Sequence, residues 1–232
     1  MSGGEAAAVT KFVTTAVTTV LKLWRWRHPD TNSVVLRGWA DKLAKSVQRD
    51  ESTRLAQLGV DIGAEIRLSF DVDGARTSRH SATKIGEFYR SVPTRRLAVL
   101  GGPGAGKTVT IIQLLLDSIA HRLDHRDPVP VRVNCSRWDS QHTDIDECLI
   151  KVLTVDYHCN ATIATALVRS GYNLPLFDGL DEIDPVGHVP REARQLLDEL
   201  NEPPWRSRPV IVVCRTDTYR NARGLRPGGD AG

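Results

Sequence analysis

The chain has 232 residues, of which 41% are hydrophobic and 25% charged, and its formal net charge is +3. These are ordinary values for a globular protein with one medium-sized core. Four cysteines without a Cys-x-x-Cys pair are too few for a disulfide-stabilised scaffold. The sequence contains no run of 18 apolar residues, so we expect no membrane span. No basic segment followed by a cleavage pattern opens the chain, so we expect a cytoplasmic protein.

The front of the chain is the more basic part. Residues 1–96 contain 16 Lys/Arg and 10 Asp/Glu, whereas the remaining residues contain 15 and 18. Residues 6–24 predict an amphipathic helix, because apolar side chains recur every three or four positions, at Val9, Phe12, Val13, Ala16, Val17, Val20, Leu21 and Trp24.

The end of this helix, KLWRWRH, alternates tryptophans with cations. This pattern is typical of a membrane-interface or nucleic-acid contact, but also of a helix packed on its own protein with a solvated basic end. A membrane surface or a partner protein is the predicted contact, and no specific nucleic acid is predicted. Peripheral attachment at the inner membrane face is the alternative location.

The pattern of apolar segments and turn residues divides the chain into three parts. Residues 1–84 form a mostly helical N-terminal region with a second helix at about 33–58 and a short strand at 66–71. Residues 85–221 alternate short apolar strands with helices, which predicts an α/β fold, with a parallel sheet between two helical layers. Residues 222–232 are rich in Gly and Arg and are predicted to be disordered.

Helix starts can also be predicted within the α/β part. Thr143 is expected to start one helix, Asn160 to cap the next, and Pro190 to open a third. A short helix is expected to stop before Pro93.

A glycine-rich motif follows the first strand, RRLAVLG. The stretch GGPGAGKT fits G-x-x-x-x-G-K-[ST], the Walker A or P-loop pattern, and a helix follows it. Glycines let successive backbone amides turn toward phosphate oxygens, and the helix N-terminus favours the same anion. The predicted nucleotide-binding residues are Gly101, Gly102, Pro103, Gly104, Ala105, Gly106, Lys107 and Thr108.

Acidic residues crowd the end of a later strand, in LPLFDGLDEID. Asp178 closes the apolar run and is predicted, with the Thr108 hydroxyl, to hold Mg²⁺ in a Walker B role. Glu182 is the candidate base that activates water, with Asp181 beside it, whereas Asp184 is expected to cap a helix. Arg215, just past the strand VIVVC, is a candidate γ-phosphate sensor.

The order GGPGAGKT, PVPVRVNCSRW, LPLFDGLDEI and PVIVVCRTDTY resembles a bacterial NACHT domain, and the segment RLAVLGGPGAGKT closely resembles actinobacterial members. NACHT proteins are STAND-class P-loop NTPases of the ASCE type, related to animal NLR immune receptors. The resemblance implies binding of ATP or ADP with Mg²⁺, the site roles given above, and a switch in signalling or antiphage defence. It also implies homo-oligomerisation when ATP is bound, with slow hydrolysis.

Family members continue past this point into a helical lid and a winged-helix domain, so we expect the NTPase core here to be incomplete. Two alternatives to the switch remain. An AAA+-like ATPase normally has an acid directly after the strand-end aspartate, where Gly179 stands. A non-hydrolysing nucleotide-binding module would dock through its basic N-terminal region. A GTPase is disfavoured because the sequence has no Asn-Lys-x-Asp, and an ABC ATPase because it has no LSGGQ-like signature.

Overall fold

A computed structural model of the chain describes residues 32–60, 85–122, 127–138, 144–185, 188–222 and 224. These residues form an α/β fold, as predicted. The predicted helix at 6–24 and strand at 66–71 lie outside the described residues. The elements in chain order are α1 (Ser33–Gln57), α2 (Ile85–Ser91), β1 (Arg96–Leu100), α3 (Lys107–Ala120), β2 (Val129–Asn134), α4 (Ile145–Val155), α5 (Ala161–Arg169), β3 (Asn173–Asp178), α6 (Arg191–Leu200), β4 (Val210–Cys214) and α7 (Thr216–Asn221).

The described strands form one sheet in the order β1-β4-β3-β2, and every neighbouring pair is parallel. The two strands that precede the glycine-rich motif and the acidic cluster are therefore not adjacent, because β4 lies between them. All four strands end at the same edge, which we call the carboxyl edge. The register aligns Asp178 with Val213, and Val213 with Val99.

Alternate strand residues point to opposite sides of the sheet, and helices cover both sides. On one face Val131, Phe177 and Val212 pack with the buried sides of α4, α5 and α6. On the other face, Leu176 and Val213 pack with α2 and α3. Full burial of one such side chain as large as Phe177 contributes about 1.5–3 kcal/mol relative to leaving it in water.

Helix α1, which agrees with the helix expected at about 33–58, packs into the same core. The Asn32 side chain caps it by accepting a hydrogen bond from the Val35 amide. Its buried residues follow a helical spacing and are Leu36, Ala40, Leu43, Ala44, Val47, Glu51 and Leu55. The helix contacts β2, α3 and α5, and thus reaches elements on both faces of the sheet beside β2.

Other local expectations had mixed outcomes. Asn160 caps α5 as predicted, through a bond from the Thr162 amide to its side-chain oxygen. Helix α4 is capped by Asp144, which accepts from Glu147, so the prediction that Thr143 starts this helix was one residue early. Helix α7 was not predicted. Ala222 and Gly224, in the segment expected to be disordered, are both buried.

The opposite end of the sheet, which we call the amino edge, is held by a buried arginine. Arg96 opens β1 and is 8% exposed. Its guanidinium donates to the backbone oxygens of Leu200, Trp205 and Arg208 at 2.8–3.2 Å, and to the Asn201 side chain at 3.3 Å. This one side chain therefore satisfies the carbonyls that end α6 and lead into β4.

No helix within the described residues is both long enough and apolar enough to cross a membrane.

Candidate functional site

The glycine-rich loop joins β1 to α3 at the carboxyl edge. Gly104 and Gly106 have φ angles of 70° and 75°, a left-handed conformation that glycine adopts without a steric penalty. Gly106 also stands at the N-cap of α3 and supplies no side-chain cap. A Cβ added at Gly102 or Gly104 would meet nothing within 4 Å, so open space lies beside these two residues.

Lys107, the first residue of α3, folds back over this loop. Its ammonium donates to the carbonyl oxygens of Gly101 and Gly102 at 2.8 and 2.9 Å. The helix behind it is anchored by fully buried side chains such as Ile111 and Leu114. The positive charge is therefore fixed at the mouth of the loop by neutral acceptors, which a more strongly accepting anion can replace.

Asp178 ends β3 at the same edge. Side chains two apart on a strand share a face, so Asp178 lies on the face of Leu174 and Leu176. These leucines pack with Ile111 and Leu114 of α3. The carboxylate is thus on the side of the sheet that carries α3, with one strand between it and β1. At about 4.8 Å per strand, roughly 10 Å separates the two backbones.

The turn after Asp178 brings Glu182 back toward the strand end. Gly179 has a φ angle of 78°, and its carbonyl accepts from the Glu182 amide at 2.8 Å. A Cβ at this position would lie 3.0 Å from a carboxylate oxygen of Glu182. Leu180 anchors the turn because it is fully buried. The exposed Glu182 carboxylate therefore packs beside the residue that follows Asp178.

The structure brings Asp181 and Arg215 together. The guanidinium of Arg215 lies 2.7 Å from Asp181 Oδ2, and the Arg215 amide donates to Oδ1 at 3.1 Å. The carboxylate is 9% exposed and the arginine 50%. Asp181 thus ties the acidic turn to the start of α7 and holds Arg215 at the end of β4.

Asp184 has the capping role expected of it. Its two oxygens accept from the amides of Arg191, Glu192 and Ala193 at 3.0 Å, which are the first three residues of α6. A carboxylate at this position satisfies the orphan amides and complements the helix dipole. Pro190 opens the helix as predicted, while the cap comes from further back in the chain.

Sequence reasoning missed the charged partner of Asp178 and the acid that pairs with that partner. Arg132, in β2, donates to Asp178 Oδ2 at 3.0 Å and also pairs with Glu51 of α1. A signal existed for the arginine, because it stands alone between Val131 and Val133 in an apolar strand and so needs a buried anion. No signal identified Glu51, which is 81 residues away in the sequence.

Two buried thiols flank the carboxyl edge. Burial raises the pKa of Cys214 to about 12, with the Asp181 charge adding to the effect. Burial also raises the pKa of Cys135 well above its ordinary value, helped by Asp178. Both groups are therefore neutral near pH 7 and are neither nucleophiles nor metal ligands in this state.

A cleft of about 320 Å³ lies on α1, and none of the residues of the glycine-rich loop or the strand ends lines it. It is lined by Trp39, Lys42, Leu43, Lys45, Ser46, Arg49, Tyr157 and Cys159. The Lys42 ammonium sits 4.6 Å from the centre of the Trp39 ring. The described part of the N-terminal region thus shares the basic and aromatic character noted in its sequence.

Neither a protein-family model nor a curated protein nor a solved structure matches this chain. The assignment of the site consequently rests on its own residues and their geometry. Within the described residues, no group of three or more His, Cys, Asp or Glu side chains forms a ready metal cage. An ion at Asp178 would need oxygen ligands from other sources, such as a hydroxyl or a phosphate.

Proposed function

We propose that this chain is an ATP-binding P-loop NTPase core of the NACHT type. In this proposal it works as a Mg²⁺-dependent nucleotide switch with slow hydrolysis. Signalling or antiphage defence, cytoplasmic location and assembly on ATP binding belong to the same proposal, by resemblance of the motifs.

One observation carries the proposal. The glycine-rich loop, with Lys107 at its mouth, and the strand-end carboxylate of Asp178 lie at one edge of a parallel sheet, on the side that carries α3. Ligands of open α/β sheets bind outside the carboxyl ends of the strands. A loop of turned amides, a helix N-terminus and a fixed ammonium together suit a polyphosphate.

The donor set suits Mg²⁺, which prefers oxygen ligands and binds nucleotides through one or two protein groups. Asp178 would supply a carboxylate oxygen and Thr108 its hydroxyl, which is exposed at the first turn of α3. When bound, the cation would neutralise charge on the phosphate oxygens.

Side chains of the protein would hold the phosphates, activate water and respond to the γ-phosphate. Lys107 exchanges its bonds to Gly101 and Gly102 for phosphate oxygens and so keeps the nucleotide in the loop. Glu182, held beside Gly179, orients a water molecule and accepts its proton. Arg215, placed by Asp181 at the end of the neighbouring strand, responds to the γ-phosphate.

A second candidate is the non-hydrolysing nucleotide-binding module. The cleft on α1, with its lysines, arginine and aromatic rings, favours a docking role for the N-terminal region. In this version the nucleotide site is unchanged and only the water-activating step is absent. The AAA+-like alternative is less favoured, because Gly179 stands where that class has an acid.

The nucleotide site is tested by replacing its ammonium. Lys107→Ala should weaken ATP affinity about 10- to 150-fold, because bonds to charged groups contribute roughly 1.5–3 kcal/mol. Titration calorimetry of the full chain measures this change. Lys151→Ala, which removes an exposed lysine from α4, is the matched control and should bind like the wild type. Equal affinities for the wild type and the Lys107 variant would refute the site.

Hydrolysis is tested by a change that keeps the shape of the side chain. Glu182→Gln should reduce ATP turnover about 100-fold or more, the usual contribution of a general base, while ATP affinity stays within about threefold. Phosphate release measured at saturating ATP gives the rate. If the wild type and the variant share the same background rate and both bind ATP, the non-hydrolysing module is the better description.

A further inference from the structure

Three charged side chains from three different elements form a row of ion pairs that ends at the carboxyl edge. Glu51 of α1 is 2% exposed. Its two oxygens each lie 3.2 Å from the guanidinium of Arg132, at Nε and Nη2. The remaining terminal nitrogen of Arg132, Nη1, lies 3.0 Å from Asp178 Oδ2. The charges along this row of ion pairs are negative, positive and negative in turn.

The sheet register explains how Arg132 reaches the edge. Asn134 is aligned with Asp178, and Arg132 lies two residues earlier on the same face of β2. The long side chain of Arg132 therefore runs toward the strand end. Its own exposure is only 9%, compared with 23% for Asp178.

The way the Arg132 guanidinium divides its hydrogen-bond donors between two carboxylates determines how many oxygens of Asp178 stay open to another ligand. A guanidinium presents a planar fork that matches a carboxylate in pairs of parallel bonds. Glu51 occupies one such pair, so Asp178 receives a single bond, at one of its two oxygens. Glu51 also offsets the positive charge of Arg132, which otherwise opposes a cation at Asp178. Arg54, which is 53% exposed and 3.8 Å from Glu51, is too solvated to replace that fork.

We propose that Glu51 is a positioning residue for the proposed metal site, acting on Asp178 through Arg132. It occupies the Nε and Nη2 donors of Arg132, so that only Nη1 reaches the carboxylate and one oxygen of Asp178 stays open toward Mg²⁺. This inference rests on the proposed nucleotide site. It makes α1 a part of that site, and it links the position of the N-terminal region to the affinity for the metal.

Loss of the Glu51 charge has a specific consequence in this arrangement. The freed Nε and Nη2 groups of Arg132 turn to Asp178 and pair with both of its oxygens. An uncompensated positive charge then stands beside the cation site. The metal should bind less well, while the loop that holds the phosphates is untouched.

The test separates metal binding from nucleotide binding. The probe is N-methylanthraniloyl-ATP, titrated into the full chain in EDTA and then, at fixed nucleotide, with Mg²⁺ or with Mn²⁺ followed by electron paramagnetic resonance. Glu51→Gln should raise the metal concentration at half-saturation roughly tenfold. Affinity for the nucleotide in EDTA should stay within about twofold of the wild type, because the phosphate loop is intact.

Three further variants test the cause. Glu51→Leu combined with Arg132→Met removes both buried charges, so metal half-saturation should return to within about threefold of the wild type. Asp50→Asn removes a neighbouring exposed carboxylate of α1 and should change nothing. If Glu51→Gln does not fold, Glu51→Asp keeps the charge but shortens the reach, and should raise half-saturation a few-fold by weakening the two-bond pairing.

The outcomes distinguish the inference from the function on which it rests. A wild-type chain that does not bind the nucleotide in the presence of Mg²⁺ overturns both. Normal binding by the wild type, with unchanged metal half-saturation in Glu51→Gln or in Glu51→Asp, overturns only the positioning role. Equal losses with and without metal show a merely structural role and also overturn it.

Discussion

The two ends of the sheet treat buried charge in different ways. At the amino edge, Arg96 donates to three backbone carbonyls and an amide oxygen, and it joins the end of α6 to the start of β4. At the carboxyl edge, Asp178 and Asp181 each pair with an arginine. Lys107, in contrast, rests on two loop carbonyls.

The difference supports the proposal that the carboxyl edge is the end that binds a ligand. The Arg96 side chain is buried, and its hydrogen bonds join segments of the fold to one another. At the carboxyl edge Lys107, Asp178 and Arg215 are partly exposed, and neighbours hold them in defined orientations. An arrangement of this kind keeps its geometry before a ligand arrives, which lowers the ordering cost of binding.

Removal of the amino-edge charge should have the largest effect on stability. Arg96→Met removes the donors to three carbonyls, of which Trp205 keeps its bond from the Arg208 amide, and we expect a loss of about 3–5 kcal/mol in the free energy of unfolding. Urea denaturation followed by circular dichroism measures the loss. Arg206→Met, at an exposed site nearby, should stay within about 0.5 kcal/mol of the wild type. A small loss for Arg96→Met would show that water can replace this side chain.

A methyl group at the carboxyl edge should have a smaller effect on stability and a clear effect on activity. Gly179→Ala places a side chain at a φ angle of 78°, at a cost of about 1–2 kcal/mol, and pushes the Glu182 carboxylate aside. We therefore expect lower stability in urea and slower ATP turnover, with nucleotide binding retained. Turnover at the wild-type rate would mean that Glu182 does not act from this position.

Gly38→Ala is the matched control for that substitution. Gly38 is exposed within α1, and an added Cβ meets nothing within 4 Å. Here the same chemical change should stabilise the protein by about 0.5–1 kcal/mol, because alanine is the better helix former. The opposite signs of the two effects would sharpen the contrast between a plain helical position and the edge of the site.

The smallest expected effect concerns an acid that lies near the site without being part of it. Asp184→Ala should destabilise the protein by about 1 kcal/mol through loss of the α6 cap, with ATP turnover per folded molecule unchanged. Asp184→Asn should recover only part of the loss, because its amide offers one acceptor oxygen where the carboxylate uses two. Asp198→Ala, exposed in the last turn of α6, is the neutral control. A large fall in turnover for Asp184→Ala would move this acid into the catalytic group.

The sequence predicted the elements whose signals are local. The four strands of the described α/β part follow from short apolar runs such as Val210–Cys214, and the loop follows from its glycines and lysine. Asn160 was predicted as a cap because capping depends on neighbours in the chain. The family resemblance and the nucleotide remain predictions.

Interactions between distant residues could not be predicted. Nothing local to Glu51 or Arg132 indicates that they meet at Asp178, since their pairing depends on how α1 packs against β2 and α3. The pairing of Asp181 with Arg215 depends in the same way on the neighbouring positions of β3 and β4. Sequence reasoning thus identified the individual residues of the acidic turn but not the ion pairs that orient them.

The placement of α1 beside β2 has a practical consequence for anyone who shortens the chain. In the described sheet β2 is an outer strand, and α1 covers it by touching helices on both faces. A fragment that begins at residue 85 would leave the outer edge of β2, with its unpaired row of backbone amides and carbonyls, without this cover. Exposed edge strands pair with the edge strands of other molecules, so such a fragment should aggregate or form oligomers.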